Sequence, residues 1–534
     1  MEVRTLGDVK VDGQDAPSVQ STEEMAGRFS AELMTFIPRW RDRLSEDPSC
    51  LEELEYTVHA AFDRGADLLL AGLLAVVMKQ PAFDEAAQEA RANYRFPLER
   101  GRPRTLQVRL LGGLLIWVTS LYCGPRGNWR NRPLEKIPGL HIELAQFGIG
   151  KGCSPALQSR VARQAALCPS LEFAQRELAR LGVKLDVKTV RRITQQCGNG
   201  LLALRTEELL TWREGELPAG SELKGKRVTV QIDGGRTKIR GPLKRVTSQG
   251  EKTDQDGLPL KDAPGRSKPQ AKQTFQADWR EPKLMTIFVH DEHGRMEKKS
   301  QATIDGTFLG PDALAELVAM HLHRLGAARA VSVTFVADGA PWIWDRIAMI
   351  VKSAKLEGVA IYEVLDNCHA AHHISLAFAA VGQTREQRLP LYREYRTLLR
   401  NGQWRRVVDE LTELAEDAPA DSDVHTEIAY LRKHGEAGRL KYPYFRSLGL
   451  PIGSGAIESS IRRVINQRLK GNGMFWRQEN AEAMLQVRAQ VITDRWDQRL
   501  IAMREHLMQD GRLNRKWEPR PLNINVEGES PAES

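Results

Sequence analysis

The stretch Val331–His373 leaves this chain few ways to fold. VSVTFVADGAPWIW opens with a short β-rich run (Val331, Val333, Phe335, Val336) that stops at Asp338. Gly339 and Pro341 break the run, and WIWDRIAMIVKSAK then carries helical spacing. A second apolar run, VAIYEVLD, stops at Asp366, and NCHAAHHI begins another helix. Strand, carboxylate and helix, twice over, predict an α/β core with neighbouring strands. A carboxylate at the carboxyl end of such a strand opens into the crevice where these sheets bind ligands.

The same pattern extends on both sides. KRVTVQIDGGRTKIRG reads as an alternating strand that ends at Asp233, and Gly234 and Gly235 are expected to turn the backbone and leave that carboxylate open. Arg236, Lys238 and Arg240 follow, and Thr247–Gln273 is polar enough to predict a mobile loop. Leu284–His290 predicts a strand with a return strand towards Ile304, and Asp312–Leu325 a helix. These place the first part of an α/β core at residues 221–379. Residues 380–445 are helical and strongly charged, an all-α insertion, and the core resumes over 446–500. There LPIGSGAIESSIRRVINQRLKGNGMFWR predicts a helix from about Ser454 that carries Glu458, then Arg462, Arg463, Arg468 and Lys470, with Trp476 and Arg477 leading into a last helix.

Ahead of the core the chain is mostly helical. Residues 1–22 read as a disordered tail, 23–100 as a helical region, and 101–150 as a small β-containing region with a hairpin at Gly112–Gly113. Over 151–220, a helix from Leu171 to Leu181 stops at Gly182, and a basic helix follows from Val187 to Gln196 with Lys188, Arg191 and Arg192. Helix, glycine turn and basic helix is how a helix-turn-helix DNA reader is built, although plain αα-hairpins share the pattern. Residues 501–534 read as a C-terminal tail, disordered from Asn514. The net charge of +8 favours a polyanionic partner. Six scattered cysteines without a CxxC pair suit a reducing compartment. The polar start is not a signal peptide, and the most apolar segment, Ala66–Met78, is too short to span a bilayer.

Three acids stand out, Asp233, Asp338 and Glu458. Carboxylates on two neighbouring strands and one facing helix suit two Mg²⁺ ions, with Mn²⁺ able to substitute, in a displacement at phosphorus. Arg236, Lys238, Arg462, Arg463, Arg468, Lys470 and Arg477 suit a DNA backbone. Singly, an aspartate after a strand is often only a helix N-cap. Asp366 and His369 either orient the site or form a satisfied core pair. Cys368, His372 and His373 lie too close together on one helix for all to face one zinc ion. Trp342 and Trp344 suit core packing as well as base stacking, and Trp476 is the better stacking candidate.

QIDGGR at Asp233, VADGAPWIW at Asp338, the long motif around Glu458, the D-x2-H pair Asp366 and His369, and the block from Ser154 to Gly198 together carry a resemblance. Over residues 50–500 the chain resembles the DDE transposases of bacterial insertion sequences, in the ISKra-type group related to Mutator-like elements. The resemblance implies an RNase H-like catalytic fold with a helical insertion before the glutamate. It also implies Mg²⁺-dependent cleavage and strand transfer at terminal inverted repeats. Double-stranded DNA, as transposon ends and target, would be the partner, in a homodimer or larger homo-oligomer. The setting would be cytoplasmic and nucleoid-associated in a bacterium, with no membrane role. Cys123 stands alone where the family carries a cysteine pair, which argues against a structural zinc there. Two rivals remain: a domesticated protein that binds repeats without cutting, and a structure-specific nuclease on the same fold.

Overall fold

The computed structural model describes residues 6–92, 98–125, 140–150, 152–241, 275–471 and 473–509. The chain forms two compact units, Met1–Ala219 with Ala483–Ser534, and Gly220–Glu482. The first begins with β1 (Val9–Val11), α1 (Thr22–Glu46), α2 (Leu51–Val77) and α3 (Pro81–Ala92). Strands β2 (Leu98–Arg109), β3 (Leu115–Pro125) and β4 (Leu140–His141) come next, then helices α4 (Ile142–Gln146), α5 (Pro155–Leu167), α6 (Leu171–Arg180) and α7 (Val187–Arg213).

The expected disordered start is a correction among its described residues. Val9, Val11 and Val19 are buried, and β1 pairs antiparallel with β3. Apolar residues at helical spacing on α2 (Leu68, Ala71, Ala75) pack against them in one core with Val108 and Ile116. On the same helix Asp67 is buried and accepts hydrogen bonds from Gly112 N (3.1 Å) and Leu114 N (3.0 Å). That carboxylate fixes the β2–β3 turn, where Gly113 takes φ +96°. The hairpin lies where the glycine pair places it.

Helices α5, α6 and α7 share a core of Val161, Leu178, Val183, Val190 and Ile193. Ser170 caps α6 and Asp186 caps α7, accepting from Thr189 N at 2.8 Å, while Gly182 makes the turn at φ +81°. Helix α7 runs well past Gln196, because Cys197, Leu201, Leu202 and Leu209 continue its buried face.

The second unit runs β5 (Arg227–Gly234), β6 (Thr237–Gly241), β7 (Gln276–Arg280), β8 (Lys283–Val289), β9 (Thr303–Thr307), α8 (Pro311–Leu325), β10 (Ser332–Ala337), α9 (Pro341–Trp344), α10 (Ile347–Ser353) and β11 (Ala360–Leu365). Helices α11 (Asn367–Ala380), α12 (Arg385–Arg400), α13 (Trp404–Leu414), α14 (Asp423–Glu436), α15 (Tyr442–Ser447) and α16 (Gly455–Ile461) follow. Among the described residues, five strands form a sheet in the order β11-β10-β5-β8-β9. Strands β11, β10 and β5 are parallel, and β8 and β9 run antiparallel to their neighbours. Every residue of β8 and β10 is buried, as in strands covered on both faces. Strands β6 and β7 form a separate antiparallel pair.

The last helices return to the first unit. Helix α17 (Gln478–Ile492) crosses the boundary after Glu482, and α18 (Trp496–Gln509) packs on α7. Trp496 is fully buried and its Nε1 donates to Ser159 Oγ at 2.8 Å. Arg499 forks onto Glu208 at 2.6 and 2.8 Å. The expectation that the core continues to residue 500 is thereby corrected: Trp496 and Arg499 find their partners on α5 and α7. The expected loop at Thr247–Gln273 and the tail from Asn514 lie outside the described residues. Among the described residues no helix is long and apolar enough to cross a membrane. Trp496→Ala should destabilise the first unit by about 3–5 kcal/mol. Hydrogen exchange should then quicken across α5 and α7 while the amides of β8 and β10 keep their protection.

Candidate active site

The parallel register sets three carboxylates side by side. Ala337, the last residue of β10, pairs with Ile232 of β5 and Leu365 of β11. The next residue along each chain segment is Asp338, Asp233 and Asp366 respectively. Neighbouring strands stand about 4.8 Å apart, so the three acids emerge at one height on the carboxyl edge of the parallel strands. Each is held differently. Asp338 begins a turn, accepting from Ala340 N at 3.1 Å, while its carbonyl accepts from Trp344 Nε1 at 2.7 Å. Asp366 caps α11, accepting from His369 N at 2.8 Å. Asp233 remains within β5, whose antiparallel ladder to β8 continues through Gly234.

That ladder corrects the expected turn at Gly234–Gly235. Neither glycine has positive φ. Their lack of a side chain serves close packing: a Cβ on Gly235 would lie 2.3 Å from Ile465 Cδ1, and one on Gly234 would collide with Glu281.

Glu458 reaches the same edge through two clamps. Gln231, buried on β5 two residues before Asp233, donates to Gly453 O and accepts from Ile457 N, both at 2.9 Å. Asp366 accepts from Ser454 N with its second carboxylate oxygen. Ser460 Oγ meets Thr286 Oγ1 of β8 at 2.9 Å. Together these bind α16 and the turn before it to β5, to β8 and to the acid that follows β11. Ligand atoms of Asp366, His369 and Glu458 consequently lie within 4.8 Å of one another. Asp233 and Asp338 are outside that cluster, and His369 feels the charge of both. The predicted trio is thus divided: Asp233 beside Asp338, and Glu458 beside Asp366 and His369.

The electrostatics follow from burial and neighbours. Burial pushes the Asp233 carboxyl up to about 6, and Asp338 adds to the rise against the pull of the Gly234 N–H at 2.6 Å. Burial acts on Asp366 in the same sense, but hydrogen bonds from His369 and Ser454 outweigh it and hold the carboxyl down at about 2. His369 Nδ1 stands 3.5 Å from Asp366 Oδ1, an ion-pair contact without an aligned hydrogen bond. Asp366 raises the imidazole's pKa against the effect of burial. The acids around His369 thus favour its protonated form, and Asp366 fastens Glu458's helix as well as its own.

Helix α14 of the insertion also reaches this edge. The Tyr430 ring lies so close to Gly339 that a Cβ there would come within 2.0 Å of it. His373 stacks on Tyr430 at 3.6 Å and pairs with Glu427. Cys368 is exposed. Gln231, Ser454 and Tyr430 were missed in the sequence. Gln231 alone leaves a signal there, as an amide inside a run that otherwise reads as buried strand.

The expected DNA-contacting residues divide too. Lys188, Arg191, Arg192, Arg236, Arg462, Arg463, Lys470 and Arg477 have exposed side chains, and Lys238 is half-buried. Arg468 is a correction: only 2% exposed, it lies with its guanidinium 5.3 Å from the Trp476 ring. Trp476 is a second correction. Its Nε1 donates inward to Leu469 O at 3.1 Å, and its backbone pairs beside Ile239 of β6. Trp344 is core, with Arg439 over its ring at 4.2 Å, and Trp342 lies under the Lys283 ammonium at 4.3 Å.

Asp233 carries a testable sign. Its folded pKa of about 6 exceeds the ordinary 3.8, so between those values the native state holds more protons. Metal-free stability therefore falls as pH rises through that window. At pH 7.5 in EDTA, Asp233→Asn should stabilise the fold by on the order of 1 kcal/mol. Thermal unfolding at pH 7.5 and pH 4 measures this, and the gain should vanish at the lower pH. Comparison of the chain with protein-family models, curated proteins and solved structures finds no match.

Proposed function

We propose that this chain is a metal-dependent DNA transposase whose second unit is an RNase H-like catalytic core. The observation that carries the reading is the common height of Asp233 and Asp338 on adjacent parallel strands, with Glu458 fastened to the same edge after a helical insertion. The mixed sheet order supports the RNase H-like assignment. The exposed cations Lys188, Arg191 and Arg192 on a capped helix after a glycine turn support a DNA-reading role for α7.

The donor set fits Mg²⁺. Its ligands would be hard carboxylate oxygens from Asp233, Asp338 and Glu458, with Asp366 within reach of Glu458. Burial is the main reason the Asp233 pKa is raised and the neighbouring Asp338 adds to it, a cost that a bound cation would offset. Two ions bound there would supply an activated water or 3′-hydroxyl and stabilise the leaving oxygen. The chain's own groups do the rest. Arg236, Arg462 and Arg463 neutralise phosphates, His369 stands beside Asp366 and Glu458, and Asp366 and Gln231 hold Glu458 in position.

The test is cleavage of labelled duplex bearing the terminal repeats that flank the gene, in Mg²⁺, beside Glu458→Gln. Nicking at the repeat boundary, reduced about a thousandfold in the variant, is expected. Binding without cutting in either protein would point to a domesticated repeat binder. Cutting of branched DNA regardless of sequence would point to a structure-specific nuclease. Because a protonated Asp233 offers no ligand charge, the Mg²⁺ concentration for half-maximal cleavage should rise as pH falls through about 6.

A further inference from the structure

The second unit carries a small sheet that the proposed chemistry does not use. Strand β6 pairs with β7, placing Lys238 opposite Trp279 and Arg240 opposite Ala277. On the other side of β6, Trp476 N donates to Lys238 O at 3.1 Å and Arg240 N to Trp476 O at 2.7 Å, a single parallel bridge opposite Ile239. Alternation assigns the faces. Thr237 Oγ1 and Trp476 Nε1 both donate to Leu469 O, so Thr237, Ile239 and Trp476 face inward, and Thr237 and Ile239 are buried. The residues between them face outward: Lys238 and Arg240, Trp279 and Phe275, Phe475 and Arg477.

On that outer face cations and rings interleave. The Lys238 ammonium sits 5.1 Å from the Trp279 ring and 5.7 Å from Phe475. Lys470 approaches Trp279 at 5.8 Å, and Arg240 lies 4.3 Å from Phe275. Phe275 and Phe475 are 5.6 Å apart. Trp279 nevertheless leaves half of its surface in water, whereas Trp344 and Trp496 are buried. A half-exposed tryptophan flanked by two phenylalanines and several cations, on the open face of a sheet, is the arrangement that stacks unpaired bases while neutralising their phosphates.

We infer that this face binds single-stranded DNA, with bases stacking on Trp279 and the two phenylalanines and phosphates meeting Arg240, Lys470 and Arg477. The inference extends the reading of the chain as an enzyme that opens and rejoins DNA strands, and its test is independent of cleavage. Full-length protein in EDTA is titrated into fluorescein-labelled dT20, rU20 and a 20-base-pair duplex, with binding followed by anisotropy. Trp279→Ala should weaken dT20 binding roughly tenfold and leave duplex binding unchanged. Trp279→Phe should recover most of the loss. The salt dependence should be unaltered in Trp279→Ala and shallower by about one counterion in Arg240→Gln. Unchanged dT20 affinity in Trp279→Ala, equal losses for dT20 and duplex, or tighter binding of rU20 than dT20 would each overturn the assignment. A wild-type protein that fails to cut yet shows the selective Trp279 effect would refute the transposase reading and keep this one.

Discussion

The constant register of β5, β10 and β11 is the constraint on which the candidate site depends. A strand's side chains alternate faces, so a slip of one residue would turn one acid into the sheet and present its apolar neighbour instead. The burial of β10 along its whole length holds that register, since any shift would carry Val333, Phe335 and Val336 out of their packing. Glu458 cannot be placed by strand pairing. It depends on polar contacts, namely Gln231 gripping both ends of the Gly453–Ile457 turn and Asp366 gripping Ser454. Such buried polar contacts specify one position where apolar packing would tolerate several.

The two aspartates flanking Asp338 show how one edge can carry opposite chemistry. Asp366 has its hydrogen bonds satisfied from two helices and holds its charge well into acid. Asp233 has one N–H from its own neighbour and a carboxylate alongside, and is reluctant to ionise. The first is fully employed in holding the architecture. The second is left under-satisfied, which costs stability once it ionises.

Much of this was legible in the chain. Each strand ending in an acid, the return strands around residues 284–307, the helical insertion and the glycine-punctuated helix pair follow from period and punctuation, which are local properties. What could not be read was long-range. Nothing in the tripeptide Val9–Val11 says that it joins a sheet more than 100 residues away at Val118. Arg468 and Trp476 look like surface groups until Leu469 is seen to draw one side of that small sheet inward. The DGG motif suggested a turn because glycine permits one, whereas the structure uses the missing Cβ for contact with Ile465. The α17 sequence carries no mark at Glu482, because one continuous helix serves both units.

That shared helix has a consequence for how the protein is made. Translation delivers residues 1–219 first, yet their unit is completed only by the segment beyond Glu482, with Trp496 on Ser159 and Arg499 on Glu208. The second unit likewise waits for Glu458, which follows the whole helical insertion. A nascent chain emerging at roughly 5–20 residues per second would expose the partners of α18 for many seconds before that helix arrives. Neither unit can mature until the segment after the helical insertion has been made, and a chain cut short before Glu458 would lack an essential part of both.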